Sequence, residues 1–279
     1  MARIRVVTDS ASDLPEMFAQ SLSVDVVSLT IRFGDEEFVD RVDLTPEAFW
    51  AKCKASKTLP ETAAPSPGAF QATYERAKSD GCDGVVVLTL SSLLSATHQS
   101  ATLGAEAVEG LIPVKVIDTL NVSMGQGLLV IEAAELAKSG ASMEEIVAHT
   151  GQLIKRSGVV ATLDTLDHLI KGGRIGGAKA LLGQVLSIKP LIELKEGVVA
   201  EAGRQRTRAK ALAAVANTAA GHAPLRRFAL IHGAASDVGT LEALVRDIKT
   251  EHPLIVTDIG PVVGTHGGPG IIGLTWIEA

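Results

Sequence analysis

The chain is poor in aromatic side chains, which make up 3% of its 279 residues. It is equally short of cysteine, with only Cys53 and Cys82. Two thiols so far apart support neither a disulfide framework nor a zinc site. No apolar run reaches membrane-spanning length, and the opening residues MARIRVVTDSASDLP contain no apolar signal core. Positive charge is in deficit too: 26 Lys and Arg against 32 Asp and Glu leave a net charge of −6. A nucleic-acid binder displaces counterions with a basic surface, and single-strand binders add aromatic stacking platforms. These shortages predict a soluble, cytoplasmic protein with no nucleic-acid partner and no stable membrane insertion, transient membrane contact at most. What the chain has in quantity is aliphatic: 46% of its residues are hydrophobic, so Ala, Val, Leu and Ile build the core.

The length suits one large or two modest domains. Residues 4–8 read as a buried strand ending in the polar cluster 9–13, residues 24–30 as a second strand, and 31–39 as a hairpin. Residues 84–90 and 114–118 are near-continuous apolar runs of the kind found in parallel strands covered on both faces. Helices are predicted after Thr45-Pro46 and Ser66-Pro67, where a capping hydroxyl precedes a proline. Others are predicted over about 95–109, over about 124–138, and after Ser142, where Glu145 completes a capping box. Beyond about residue 155 the rhythm changes. A strand at 159–163 is followed by a Gly-rich basic loop at 171–177 and a hairpin formed by 188–194 and 198–202. Two helices then alternate with strands at 228–231 and 254–259, and a strand near 271–277 closes the chain. The reading is a two-domain α/β fold: an N-terminal domain, 1–156, with a mostly parallel sheet and helices, and a smaller mixed-sheet C-terminal α/β domain, 157–279.

Gly268-Pro269-Gly270-Ile271-Ile272-Gly273 spells the dinucleotide fingerprint, yet too few residues follow for the helix that fingerprint needs. It is expected to be a loop entering a strand. Walker A, H-E-x-x-H, C-x-x-C and G-x-S-x-G patterns are all missing from the sequence.

Four hydroxyl-rich stretches stand where α/β proteins bind ligands, at strand ends: residues 8–10, 62–68, 91–97 and 118–127. The third is the most informative, because a buried strand runs straight into serines that open a helix. Free N–H groups and the helix dipole favour an anion there; the plain alternative is that Ser92 or Ser95 only caps the helix. The second half adds Arg174, Arg206 and His266. For the arginines the alternative is a solvated helix start, and for His266 a loop histidine satisfied by backbone.

Taken together, Thr8 to Pro15, Thr62 to Phe70, Leu90 to Ala101 (LSSLLSATHQSA), Val116 to Gly127, Leu163 to Ile175 (LDTLDHLIKGGRI), Lys189-Pro190 and His266 to Gly270 (HGGPG) resemble the DegV family. These are fatty-acid-binding proteins that serve as the acyl-binding subunit of bacterial fatty acid kinase. The resemblance implies a two-domain α/β fold holding one long-chain fatty acid as its ligand, with no other cofactor. It implies that the chain is not itself an enzyme. A separate fatty acid kinase catalytic subunit is the implied partner, which phosphorylates the carboxylate with ATP to an acyl-phosphate for phospholipid metabolism. By position, Thr62 and a serine among Ser91, Ser92 and Ser95, best Ser95, bind the carboxylate with His266 near them. Arg174 and Arg206 match basic positions for phosphotransfer or kinase docking. The chain departs from the family at Ala63, Ala96 and His98, which are expected to alter the shape of the pocket. The competing reading is a stand-alone hydrolase or small-substrate kinase using Ser95, His266 and Asp118 as a nucleophile triad.

Overall fold

A computed structural model describes residues 3–56, 58–181 and 188–279. The first half runs β1 (Ile4–Asp9), α1 (Glu16–Leu22), β2 (Asp25–Val27), β3 (Thr30–Phe33), β4 (Glu36–Val39), α2 (Pro46–Ala55) and β5 (Glu61–Ala63). It continues with α3 (Pro67–Ser79), β6 (Gly84–Thr89), α4 (Thr97–Ala107), β7 (Val114–Asp118), α5 (Met124–Lys138) and α6 (Met143–Ile154). The second half contains β8 (Ser157–Thr162), α7 (Asp167–Lys171), β9 (Lys189–Lys195), β10 (Val198–Gln205), α8 (Arg208–Ala220) and β11 (Leu225–His232). It ends with α9 (Val238–Val245), β12 (Ile255–Asp258), α10 (Pro261–Gly267) and β13 (Ile272–Glu278).

The predicted caps form. Thr45 Oγ1 accepts from the Ala48 N–H and Ser66 Oγ from the Ala69 N–H, each at 3.2 Å. Ser142 and Glu145 satisfy each other reciprocally at the start of α6.

One sheet, in the order β2-β1-β6-β7, is parallel throughout, and every residue of β6 is buried. A second sheet of mixed direction, in the order β10-β9-β8-β13-β11-β12, begins at Ser157. The strand expected over 24–30 is broken. Leu29 leaves the ladder because its N–H goes to Ser10 Oγ and its carbonyl to the Asp40 N–H. Thr30 then starts a third, small antiparallel sheet, β4-β3-β5.

The period of two along the second sheet sorts its side chains into two layers. Val160, Leu230, Leu274 and Trp276 join the core under α8 and α9. Ala161, Ala229, Ile231 and Ile277 face the first half. Helix α5 lies between the two sheets, touching β1 and β6 on one side and β11 and β13 on the other. Its residues Met124 to Ala134 are all buried, as a helix covered on every side requires. Among the described residues no helix is long and apolar enough to cross a membrane.

Candidate functional site

A cavity lies between the inner face of the second sheet and the loops of the first half. Val159, Ala161, Ile192, Leu194, Val199 and Ile231 form its sheet wall; Leu29, Leu90, Leu94 and Val122 face them, and Val262 and Val263 of α10 add to the lining. It encloses about 840 Å³ of space free of protein, counting the solvent at its opening. Its polar lining residues are Thr62, Ser95, Ser123, Arg174, Glu193 and His266; the Ser123 hydroxyl is spent on Asp13, and Glu193, cross-strand from outer-face Val160, turns its side chain to the other face of the sheet.

Four of these are contiguous. Thr62 Oγ1 and His266 Nε2 are 3.0 Å apart. Arg174 lies close enough to His266 to act on its charge, and donates Nε to the Leu94 carbonyl at 3.1 Å, beside Ser95. Arg174 Nη1 donates to the Gly172 carbonyl at 2.5 Å, while Nη2 has no partner among the described residues. Ser95 Oγ accepts from the Thr97 N–H at 3.3 Å and shares a 2.9 Å hydrogen bond with Thr97 Oγ1. With the Thr97 hydroxyl as donor, the Ser95 proton is free for the cavity.

Thr62 does not sit on a loop leaving the first sheet, as expected; it is the middle residue of β5, paired with Ile31 in the small third sheet. His266 is not in a loop either. Pro261 occupies the first turn of α10, the Thr265 hydroxyl returns to the Pro261 carbonyl at 2.8 Å, and His266 falls in the last turn. The glycine fingerprint after it is a turn leading into β13, as expected.

The His266 ring has one buried nitrogen, Nδ1, with no hydrogen-bond partner. That nitrogen faces Gly172, where an added Cβ would stand 2.3 Å away. A buried N–H without a partner costs more than an unmet lone pair, so the proton belongs on Nε2. Nε2–H then donates to Thr62 Oγ1, and the Thr62 hydroxyl proton is left to point at an acceptor in the cavity. Burial, followed by the charges of Arg174 and His168, pushes the His266 pKa down to about 4. The ring is neutral at pH 7, and Arg174 is the cation of the group.

Other expected residues are placed elsewhere. Ser91 is buried and spends its hydroxyl on the Gly197 carbonyl at 2.7 Å, tying the β9–β10 turn to the first half. Ser92 is exposed and outside the cavity, its N–H held by Asp118 at 3.2 Å. Arg206 is exposed just before α8, outside the cavity and without a partner among the described residues. Ala63, Ala96 and His98 do not line the cavity, which corrects the expectation that they shape it. The first two are exposed, and His98 Nδ1 bonds Thr89 Oγ1 at 3.0 Å beside a groove along β7. The triad is not assembled: His266 meets Thr62 rather than Ser95, and Asp118 accepts from the Ser92 and Leu120 N–H groups.

Behind the cavity wall lie three fully buried carboxylates. Asp9 accepts from the Leu90 N–H at 2.8 Å, Gln126 Nε2 at 3.0 Å and the Ala11 N–H at 3.0 Å. Asp13 accepts from Ser123 Oγ at 2.5 Å, the Gly260 N–H at 2.9 Å and Arg41 Nη2 at 3.1 Å. Neither oxygen of Asp40 has a well-aligned hydrogen bond, and the Ser10 hydroxyl and Arg41 only partly offset its burial. Burial raises the Asp13 pKa against the opposing pull of Arg41 and Ser123. It raises Asp9 and Asp40 each to about 7, from 3.8.

A carboxyl raised in this way favours folding below about pH 4 and loses that contribution as pH rises through 7. Asp40→Asn mimics the protonated form. It is expected to stabilise the protein by about 2–4 kcal/mol at pH 8 and to change little at pH 4.5. Denaturant melts at both pH values check this; equal effects at the two would contradict it.

The model of the DegV family of uncharacterised proteins matches residues 3–279. A DegV domain-containing protein of Halalkalibacterium halodurans is 35% identical, with 99% of each chain covered. A solved DegV family protein from Thermus thermophilus, described for its fatty acid binding, is 35% identical with a TM-score of 0.91, over 99% of this chain and 100% of that one. A stearic-acid-binding protein from Eubacterium ventriosum is 27% identical with a TM-score of 0.89, over 100% of this chain and 98% of that one.

Proposed function

The chain belongs to the DegV family, and on that premise we propose that it is an acyl carrier. It holds one long-chain fatty acid in the cavity between its sheets and presents the carboxylate to a separate kinase subunit. The reading rests on one observation: an otherwise aliphatic cavity carries a contiguous hydroxyl, imidazole and guanidinium group, Thr62, His266 and Arg174, with Ser95 beside it. A carboxylate needs two or three donors in a partly dry site. Thr62, Ser95 and the spare Arg174 Nη2 supply them, while neutral His266 orients Thr62. Roughly 15 methylenes at about 0.8 kcal/mol each give an upper bound near 12 kcal/mol for the tail, before the cost of ordering it.

The division of labour follows from charge. The bound carboxylate oxygen attacks the γ-phosphorus of ATP supplied by the kinase, the bond to ADP breaks, and ADP leaves. The acyl-phosphate carries more negative charge than the carboxylate, so cations at the opening matter most at that stage. Exposed Arg206 belongs to the surface that meets the kinase. The reading places the protein in the cytoplasm, where ATP is available, with a domain border between residues 156 and 157.

Organic extraction of purified protein followed by mass spectrometry tests the carrier role, with one fatty acid per chain expected. Adding a bacterial fatty acid kinase catalytic subunit and ATP to the loaded protein is expected to give an acyl-phosphate trapped by hydroxylamine. Arg206→Ala is expected to keep the fatty acid and lose most of that product. Fatty acid lost and product formation retained would reverse the assignment.

A further inference from the structure

Strand β7 is the outer strand of the parallel sheet, and among the described residues nothing pairs with its free side. In a parallel ladder, alternate residues bond to one neighbour. The Pro113 carbonyl accepts from the Val85 N–H, and the Thr119 N–H donates to the Thr89 carbonyl, so the odd-numbered residues bond inward. The N–H and C=O groups of Val114, Val116 and Asp118 therefore point outward. Beside them runs a groove with about 1240 Å³ of space free of protein, open solvent included, bounded by these valines on one side and by Thr102, Ala105 and Glu106 of α4 on the other.

An open edge is a template for another strand, and the pattern along this one is complementary to itself. In a second copy laid antiparallel with Val116 beside its own counterpart, Lys115 faces Ile117 and Val114 faces Asp118. Sliding one step along the ladder in one direction sets Lys115 opposite Lys115, and like charges there oppose pairing. Sliding the other way carries Val114 past the end of the partner strand, which stops at Asp118.

The surroundings match in the same register. Glu106 and Glu109 lie toward the start of β7, while His98 lies toward its end, bonded to Thr89, which pairs with Asp118. Antiparallel pairing sets the acids of each copy against the His98 end of the other. The Asp118 carboxylate at that end is already held by the Ser92 and Leu120 N–H groups. Two large apolar side chains flank the strand, Leu111 at 46% and Leu120 at 36% exposure. The same register lays each Leu111 alongside Leu120 of the second copy and covers both.

We infer that β7 is a self-association edge, at which two copies of this chain pair antiparallel about Val116 and join their four-stranded sheets into one continuous sheet. The groove shares no lining residue with the fatty acid cavity, so the inference goes beyond the carrier reading and does not depend on it.

Sedimentation equilibrium of the full chain tests it. At concentrations up to about 200 µM the parent is expected to reach twice its 29.0 kDa mass, with a dissociation constant in the micromolar range of modest interfaces. Val116→Pro removes the central outward N–H at a position where an edge strand accepts proline. It is expected to weaken the dimer about tenfold or more, with a cooperative melt retained. Leu111→Glu, which leaves the ladder untouched, is expected to weaken it similarly. Register is read by oxidative cross-linking. Val116→Cys places paired Cα atoms about 5.5 Å apart, within disulfide reach, and is expected to give a covalent dimer where Lys115→Cys gives none. A parent that stays monomeric at the highest concentration overturns the inference and leaves the edge to a partner of another sequence. So does a dimer indifferent to both Val116→Pro and Leu111→Glu, or one cross-linked through Lys115→Cys and not Val116→Cys. If Val116→Pro fails to fold, Leu111→Glu and the cross-links decide.

Discussion

Ala161→Phe is expected to weaken fatty acid binding about a thousandfold while leaving the fold intact. Ala161 is 3% exposed on β8 and its side chain lies on the sheet's inner face, in the cavity lining. Its cross-strand neighbours are Gly273 and Ile192; on the Gly273 side a ring at 161 meets no opposing side chain, and it grows into the space meant for the tail. Displacing about five methylenes removes about 4 kcal/mol, or about a thousandfold in affinity. The ring fills a void, so its overpacking cost stays near the low end of about 1–3 kcal/mol. Calorimetry with hexadecanoate and a thermal melt check both halves. A variant that melts normally and still binds one fatty acid with native affinity would show that the tail lies elsewhere.

The second large effect is on stability. Arg227, 4% exposed on β11, donates Nε to Glu132 Oε1 of α5 at 2.6 Å and also bonds Glu135. Arg226 Nε reaches the other Glu132 oxygen at 2.9 Å. Two successive arginines reach one carboxylate where the β11–β13 register is irregular, between Leu225 and Arg227, because a bulge re-aims side chains that would otherwise alternate. Burial acts to raise the Glu132 pKa, but the two guanidinium groups more than offset it and hold the carboxyl below its usual range. The network joins the helix between the sheets to the second sheet.

Arg227→Ala leaves a buried carboxylate short of a partner and is expected to cost about 3–5 kcal/mol. At this chain length that is a fall of roughly 6–20 °C in melting temperature. The double variant Glu132→Leu with Arg227→Met is expected to recover most of the loss, since matched apolar groups replace buried pairs at little cost. A single variant that melts within about 1 °C of the parent, where each kcal/mol is worth roughly 2–4 °C, would mean that solvent already reaches the pair.

What the sequence shows, and what it hides, follows from how local each signal is. The caps at Thr45, Ser66 and Ser142 depend on neighbouring residues only, and the hydrogen bonds form as read. Helix α5, predicted over about 124–138, spans Met124–Lys138. Strands β2 and β5 have three residues each, too few for a period of two to declare itself. The GTHGGPG stretch reads as loop on glycine content, yet α10 forms because Gly264 lets Phe49 and Trp50 pack against it. There tertiary packing overrides propensity.

The site divides in the same way. Thr62, Ser95, Arg174 and His266 were legible as hydroxyls and cations in a family pattern, and all four line one cavity. That Ser91 and Ser92 are turned to other tasks depends on Gly197 and Asp118, contacts far off in the chain. The buried carboxylates were illegible for a similar reason. Residues 9–13 look like an ordinary polar strand end until Arg41, Ser123 and Gly260 close over them.

The central claim is that one fatty acid lies in the cavity with its carboxylate on the Thr62 hydroxyl. The most direct measurement is the dissociation constant of hexadecanoate for delipidated Thr62→Val protein against the parent. Valine keeps the volume and removes the donor, so one unmet hydrogen bond of about 1–3 kcal/mol predicts binding about 5- to 150-fold weaker, still at one ligand per chain. An unchanged constant, or a parent protein with no saturable binding, would contradict it.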